Sequence, residues 1–571
     1  MTLNEIITLQ IGNYANFVGT HWWNFQQNCF IFNRAEAEAD ESRVSHDLLF
    51  REGRNLVGKT TFTPRLIALD LSENIKTTSL GGVQYENVTN VSQDLSHDMT
   101  TWSGKTEVCN VQTKLDQFND CVQSRMSSQV GIVSNTSPNF RSNDASIFDE
   151  IYNGGPPAKK FESETSHMEV DSWTEHLRVP FHPKSLMVLQ DSSDRALSFQ
   201  SGFVRMSRSS EIFEEFEDRV HYFAETCDSL QGFHLLYDAH SSFSGTAQGI
   251  LEFLSDEYGT KAIMGFPLQP RLPELNASNA IQRTHVCFNL VSSLAQHSQL
   301  LSFVLPLSLL NKLDEFTGAC RRFDYLNYKA DEYSCTSALI AAYLETATTP
   351  WRQYDMPDRL SEVVAKLSLS IRKIFTAGLC LPLGIRAGEG LFDLTSRLTS
   401  HNKWLKAVPL TPNCAFSDDI PDYKQSAIVS CLTLRGSKHF PASKCLESKR
   451  SYYGESPAEA LWSMYGDKFG YSSIVCAQQP IPTAAPFPVQ FSNVVTQHGF
   501  VNLDAMETEA MRAVSSVPSF SVIESSDNSA CYIENVLEQA KCIKRNQNCC
   551  EKDEFDDIQE TLYNLVENHK N

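Results

Sequence analysis

The chain has 571 residues, enough for about three or four structural units at roughly 150 residues each, and its 41% hydrophobic and 20% charged residues describe a folded protein, neither disordered nor membrane-embedded. Its 48 Lys+Arg against 69 Asp+Glu leave a net charge of -21, which excludes a general binder of nucleic-acid backbones or anionic membranes, because those surfaces attract cations. The sixteen cysteines contain no C-x-x-C pair, and only Cys549 and Cys550 are adjacent, so reduced thiols are expected in place of a zinc site or a disulfide scaffold.

Glu5 stands where a secretory signal would need basic residues, and patterned sequence begins at once, so no cleaved leader is expected. Residues 5–10 read as a short strand, Gly12 as a tight turn, and residues 13–25 as a helix with Phe17, Val18, Trp22 and Phe25 at helical spacing. The Trp22-Trp23 pair is expected to pack in a core or between helices. Gly53-Arg54-Asn55-Leu56-Val57-Gly58-Lys59-Thr60 satisfies G-x-x-x-x-G-K-[ST], but a phosphate-wrapping loop of that kind must open a helix. Here the sequence that follows is β-branched, contains Pro64 and reads as strand, so no such loop is expected. Residues 64–71 form an apolar run with Asp70 near its end, the pattern of a buried parallel strand.

Residues 134–172 are rich in Ser, Asn, Pro and charge, and are expected to form a mobile insert. Order resumes at Trp173. Residues 210–227 carry Ile212, Phe213, Phe216, Val220 and Phe223 on one helical face; residues 233–237 read as a strand and residues 249–258 as a helix. Between them, Asp238, His240, Ser241, Ser242 and Ser244 lack a G-x-S-x-G elbow and are expected to form a hydrogen-bonded polar loop. The most apolar stretch, residues 300–310, is too short to cross a bilayer and contains Pro306, so any membrane association is expected to be peripheral. Residues 435–457 are polar, and Pro480, Pro482, Pro486 and Pro488 mark an extended segment. Two helices are expected at the end, residues 532–544 and 552–566, the second docking its Phe555, Ile558, Leu562 and Leu565 stripe on the protein's own core.

Several of these blocks together resemble the tubulin superfamily: Gln10-Ile11-Gly12-Asn13-Tyr14-Ala15-Asn16 its first nucleotide loop, residues 64–71 its second-loop region, and Leu230-Gln231-Gly232-Phe233 onward a strand, loop and helix. The chain is similar more closely to the Misato family, through Tyr14-Ala15 to His21-Trp22-Trp23-Asn24, Phe62-Thr63-Pro64-Arg65-Leu66-Ile67, His182-Pro183-Lys184-Ser185, Glu225-Thr226-Cys227-Asp228-Ser229 and Phe243-Ser244-Gly245. The resemblance implies an α/β protein: a tubulin-like Rossmann-type nucleotide-domain fold with a second, less regular α/β domain and C-terminal helices. The expected divisions are a tubulin-like segment over 1–125, a flexible insert over 126–172, the rest of that domain over 173–330, the second domain over 331–530 and acidic helices over 531–571.

Against that family pattern the nucleotide loops are altered. The Gln, Cys and second Gly of the tubulin first loop are Asn13, Tyr14 and Ala15; the third loop keeps Gln200-Ser201-Gly202 but continues Phe203-Val204-Arg205; and the glycine-rich fourth loop reads His240-Ser241-Ser242-Phe243-Ser244-Gly245-Thr246, one glycine where tubulin has five. Asp238 adds a charge expected to repel phosphate. Gly499-Phe500-Val501-Asn502-Leu503-Asp504 matches the tubulin G-x-x-N-x-D string but lies too far downstream to serve as it. The surviving nucleotide-loop positions are Gln10, Gly12, Asn13, Asp70, Gly202, Gly245 and Thr246.

The resemblance therefore implies a protein that is no enzyme, with no catalytic residue, metal or cofactor, acting in mitochondrial distribution and morphology, including network formation and fusion. It further implies a link to tubulin, the cytosolic chaperonin, microtubules and the spindle. Such a protein is expected in the cytoplasm and at the mitochondrial outer membrane, meeting outer-membrane or fusion machinery and no nucleic acid. The alternative is a divergent GTP-binding switch in which the seven surviving positions hold GTP weakly without polymerising.

Overall fold

The computed structural model describes residues 4–30, 44–54, 60–75, 172–190, 198–275, 280–354, 358–368, 371–400, 405, 407–414, 427–437, 440, 456–465, 471–483, 485–502, 514–543 and 551–570. The expected insert over 126–172 lies outside these residues except for Ser172, as does most of the polar stretch over 435–457. A parallel sheet of six strands organises the first half: β1 (Ile6–Ile11), β2 (Leu66–Leu71), β3 (Leu186–Leu189), β4 (Gly232–Asp238), β5 (Ala262–Leu268) and β6 (Phe303–Val304). Their spatial order is β3-β2-β1-β4-β5-β6, that of a doubly wound sheet, and it reverses direction between β1 and β4. β1, β4 and β5 are buried along their whole length, as continuous apolar strands covered on both faces must be.

On one face lies α1 (Asn13–Asn28), buried from Tyr14 to Gln26 because it is enclosed by the sheet and by a later helix. The other face carries α2 (Phe199–Arg205), α3 (Glu211–Glu225), α4 (Phe243–Glu257) and α5 (Ala280–Leu300). α3 is the helix that the spacing of Phe213, Phe216, Val220 and Phe223 requires, and all four are buried. The Ser210 hydroxyl caps it, accepting from Phe213 N at 3.1 Å.

Two expected elements differ. The strand over 64–71 is broken at Arg65, and Thr60–Pro64 instead pairs antiparallel with Phe50–Arg54. Gly53, Arg54 and Thr60 of the G-x-x-x-x-G-K-T string stand in this antiparallel pair, Arg54 opposite Thr60, so a strand and not a helix follows the string, as expected; residues 55–59 are outside the described set. The helix expected at 249–258 begins earlier, at Phe243.

The helix α6 (Tyr333–Ala347) packs on α1 and separates the parallel sheet from a second one. After α7 (Leu360–Leu367) come β7 (Thr376–Cys380), α8 (Leu391–Ser400), β8 (Val408–Pro409), β9 (Ala427–Arg435), α9 (Pro457–Tyr465), β10 (Tyr471–Ala477) and β11 (Ser519–Ser526). The five strands lie in the order β8-β7-β11-β9-β10, and only β9–β10 is a parallel pair, which makes this the less regular α/β unit. Along β9 the faces alternate: Val429 and Cys431 join the core shared with α6, while Leu432 and Leu434 meet α8 and α9.

The chain closes with α10 (Asn528–Cys542) and α11 (Lys552–Lys570). The expected stripe docks on the protein itself: Phe555, Ile558 and Leu562 are buried with Ile533 and Val536, and the Phe555 ring stacks on Phe288 of α5 at 6.5 Å. Val566 completes the buried face, and Leu565 is only partly covered.

Candidate functional site

Open parallel α/β sheets bind ligands beyond the carboxyl ends of their strands, where the strand order reverses. Here that place lies between the end of β1, followed by Gly12, and the end of β4 at Asp238. Gly12 has φ +109° and provides no side chain to cap α1. The first N–H groups of the helix need an acceptor. They find it across the sheet: Tyr14 N–H donates to Asp238 Oδ2 at 3.0 Å and Ala15 N–H to Asp238 Oδ1 at 2.8 Å. A Cβ on Gly12 would stand 2.6 Å from Asp238 Oδ2, so only glycine leaves room for this carboxylate. Burial pushes the Asp238 carboxyl up to about 8, the two N–H donors pull it back, and nearby Asp70 adds to the rise.

Of the other nucleotide-loop positions, Asp70, Gly202, Gly245 and Thr246 are drawn into internal contacts, whereas Gln10 Nε2 and Asn13 Oδ1 make no hydrogen bond among the described residues. Asp70 accepts four hydrogen bonds, from Leu71 N at 2.8 Å and Asn74 Nδ2 at 2.7 Å on Oδ1, and from Asn16 Nδ2 at 3.0 Å and Trp173 Nε1 at 2.8 Å on Oδ2. A carboxylate has about four acceptor positions, so this set fills it. Burial nevertheless raises Asp70 to about 6, because the four donors offset only part of the desolvation. Gln10 is buried in β1 with its amide against Gly19 of α1. Asn13 opens α1 half-buried.

Gly202, expected in a loop, lies inside α2, and Gly245 and Thr246 lie inside α4. A Cβ on Gly202 would collide with the Ser242 carbonyl, and one on Gly245 with the Phe199 carbonyl. The two glycines are thus the close-approach points of a helix crossing, and neither faces outward as a phosphate cradle would require. Thr246 Oγ1 is tied into the same crossing, donating to Gly202 O at 3.3 Å and accepting from Arg205 Nη1 at 3.4 Å.

Aromatic rings occupy the adjoining space. Tyr14 lies edge-on to Tyr333 at 5.1 Å, Phe17 meets Tyr333 at 6.1 Å, and burial pushes both phenols well above their usual range. The polar stretch after β4 is a hydrogen-bonded turn, as expected: Ser244 Oγ donates to Ser241 O at 2.7 Å, and Phe243 N donates to Ser241 Oγ at 3.3 Å. His240 is lowered to about 4 by burial and so stays neutral. Gly499 makes a turn with Thr496 at 2.9 Å, while Asp504 lies outside the described residues.

A buried ion cluster had not been expected. Glu345 on α6 bonds Arg352 at 2.8 Å and Arg435 at the end of β9, and Trp22 Nε1 of α1 donates to the same carboxylate at 3.1 Å. All three charged side chains are fully buried, and the two guanidinium groups hold Glu345 below the usual carboxylate range against a large desolvation. A sequence signal existed: Glu345 is the single charge in the fifteen-residue helix α6. Among the described residues one group could hold a metal ion, Glu217, His221 and Glu257, whose ligand atoms lie within 4.8 Å of one another. It sits at the surface, at the carboxyl end of α4 and so far from the strand ends at its amino end.

Two family models match this chain, a Misato segment II tubulin-like domain over residues 4–123 and a tubulin domain over residues 162–353. Protein misato of Drosophila melanogaster is 29% identical over 97% of this chain and 96% of its own. Protein misato homolog 1 of Mus musculus is 31% identical over 70% of this chain and 68% of its own, and that of Homo sapiens 30% identical over 70% and 69%. A doubly wound parallel sheet in the span matched by these models, and relatives aligned through both sheets, place the chain in the misato family, with a tubulin-like domain at its core.

Proposed function

We propose that this chain is a non-enzymatic, tubulin-like factor that regulates mitochondrial distribution and morphology without binding or hydrolysing GTP. The observation that supports the reading is the internal use of the nucleotide-loop residues: Asp70 is saturated by four donors, and Gly202 and Gly245 form a helix crossing. The mitochondrial role itself comes from the family resemblance. On this reading the working parts are outer surfaces, which meet outer-membrane or fusion machinery and, for a role in microtubule and spindle assembly, tubulin or the cytosolic chaperonin. Attachment to the mitochondrial outer membrane from the cytoplasm is peripheral; among the described residues no helix is long and apolar enough to cross a membrane.

Depleting the protein from cells should disperse or fragment the mitochondrial network, and re-expression should restore it. Asp70→Asn removes the charge a nucleotide-bound Mg²⁺ would need, but it also turns an NH₂ toward two of the four donors, so restoration should fall only as far as the level of folded protein falls, measured alongside it. Purified protein should release phosphate from GTP at the buffer rate. Turnover abolished by Asp70→Asn, together with failure of that variant to restore the network, would instead establish the divergent GTP-binding switch. Alkaline carbonate should strip the protein from isolated mitochondria; retention in the pellet would contradict peripheral attachment.

A further inference from the structure

The loss of a nucleotide would ordinarily leave the amino end of α1 with unsatisfied donors beneath the end of β4, in a place built to receive an anion. We propose that the Asp238 carboxylate is a built-in stand-in for a bound oxyanion, holding that end of the helix closed so that the domain is complete without ligand. This rests on the functional reading above, in which no nucleotide is bound.

Three observations carry it. The contact uses both oxygens, one on each of two successive N–H groups, as an oxyanion on a helix terminus does. It comes from 224 and 223 residues away, when a Ser, Asp or Asn at position 12 would have capped the helix locally. And Gly12 is the residue that makes room, since any side chain there meets Asp238 Oδ2, Cγ or Cβ within 2.9 Å. An ordinary packing contact would need neither the two-oxygen geometry nor the clearance at Gly12. Once ionised, above about pH 8, the carboxylate gains from the positive end of the sixteen-residue helix α1, which offsets part of the burial that raises its proton affinity.

If Asp238 takes an oxyanion's place, then removing its carboxylate uncovers a site for a small oxyanion of the phosphate or formate class. The test uses the full-length chain with Asp238→Ala. Thermal unfolding and amide exchange at Tyr14 and Ala15 are followed in inorganic phosphate, in formate and in chloride at equal ionic strength, at a pH above the Asp238 value of about 8 so that the wild-type carboxylate is ionised. In chloride, protection at the two amides should fall about tenfold or more relative to the wild-type chain, as loss of a charge-assisted bond implies.

Phosphate or formate should recover at least half of the lost protection and midpoint, while the wild-type chain responds no more than it does to chloride. Should Asp238→Ala not fold in chloride, refolding with and without the oxyanion gives the same readout. Asp238→Asn fills the same volume, leaves no room for an ion and should show no oxyanion response. Absence of anion-specific recovery in Asp238→Ala, or an equal response in Asp238→Asn, overturns the proposal. Nucleotide binding by the wild-type chain is measured separately: if it is absent and recovery fails, only this inference falls, whereas binding together with recovery overturns only the functional reading.

Discussion

Asp238 and Asp70 are buried acids whose folded-state values, about 8 and about 6, lie above the ordinary carboxylate value. A raised acid contributes stability that is complete below its unfolded value and is lost as pH rises through the folded one. Buried histidines act in the opposite sense: His21, His234 and His297 are lowered to about 3 by burial, so their contribution grows from about pH 3 to 6.5. His46, His176, His182 and His240, lowered to about 4, add to it. With these seven histidines against two acids, stability should climb between pH 4 and about 6.5, each group weighing about 1.4 kcal/mol per pH unit and the half-buried His182 less. Above that, among the described acids and histidines with a shifted value, Asp238 is the one still to titrate, and stability should decline toward pH 8. Urea midpoints measured from pH 4 to 8 check both limbs, and Asp238→Asn should flatten the upper one.

The crossing of α2 over α4 depends on the absence of two side chains. Gly245→Ala, or Gly202→Ala, should destabilise the chain by about 3 kcal/mol, at the upper end of the cost of overpacking, because the obstructing atoms are backbone carbonyls that cannot turn away. Urea unfolding should show the loss while nucleotide response stays unchanged; a variant with wild-type stability would contradict the crossing. At the other end of the chain, Leu562→Ala removes a fully buried side chain from α11 and should cost about 2–5 kcal/mol.

These elements were unequally legible in the sequence. α3, α11, β1 and β4 announce themselves through local apolar spacing, which is why their existence was readable. The early start of α4 was not, because Ser241-Ser242-Phe243-Ser244-Gly245-Thr246 is a poor helix former. That turn is helical since packing on α2 overrides local preference. For the same reason the seven nucleotide-loop positions could be listed by resemblance while their actual partners could not.

The parallel sheet, α1, α6 and the second sheet are joined at the Glu345, Arg352 and Arg435 cluster, whose members come from α6, the chain after it and β9. Nothing local in the sequence pairs residues 345 and 435, so this joint could be seen only in three dimensions. Glu345→Gln leaves two guanidinium groups buried without a countercharge and should cost about 3–5 kcal/mol, read by denaturant unfolding. Replacing all three with apolar residues of similar volume should cost far less, since the desolvation penalty leaves with the charges. On the proposed function, a tubulin-like body is kept intact while the place of a nucleotide is filled by the chain's own residues. Calorimetry of GTP and GDP with Mg²⁺ against purified full-length protein, paired with chemical analysis for copurifying nucleotide, tests that most directly: the expected result is no binding heat and no nucleotide, and tight stoichiometric binding of either one would contradict it.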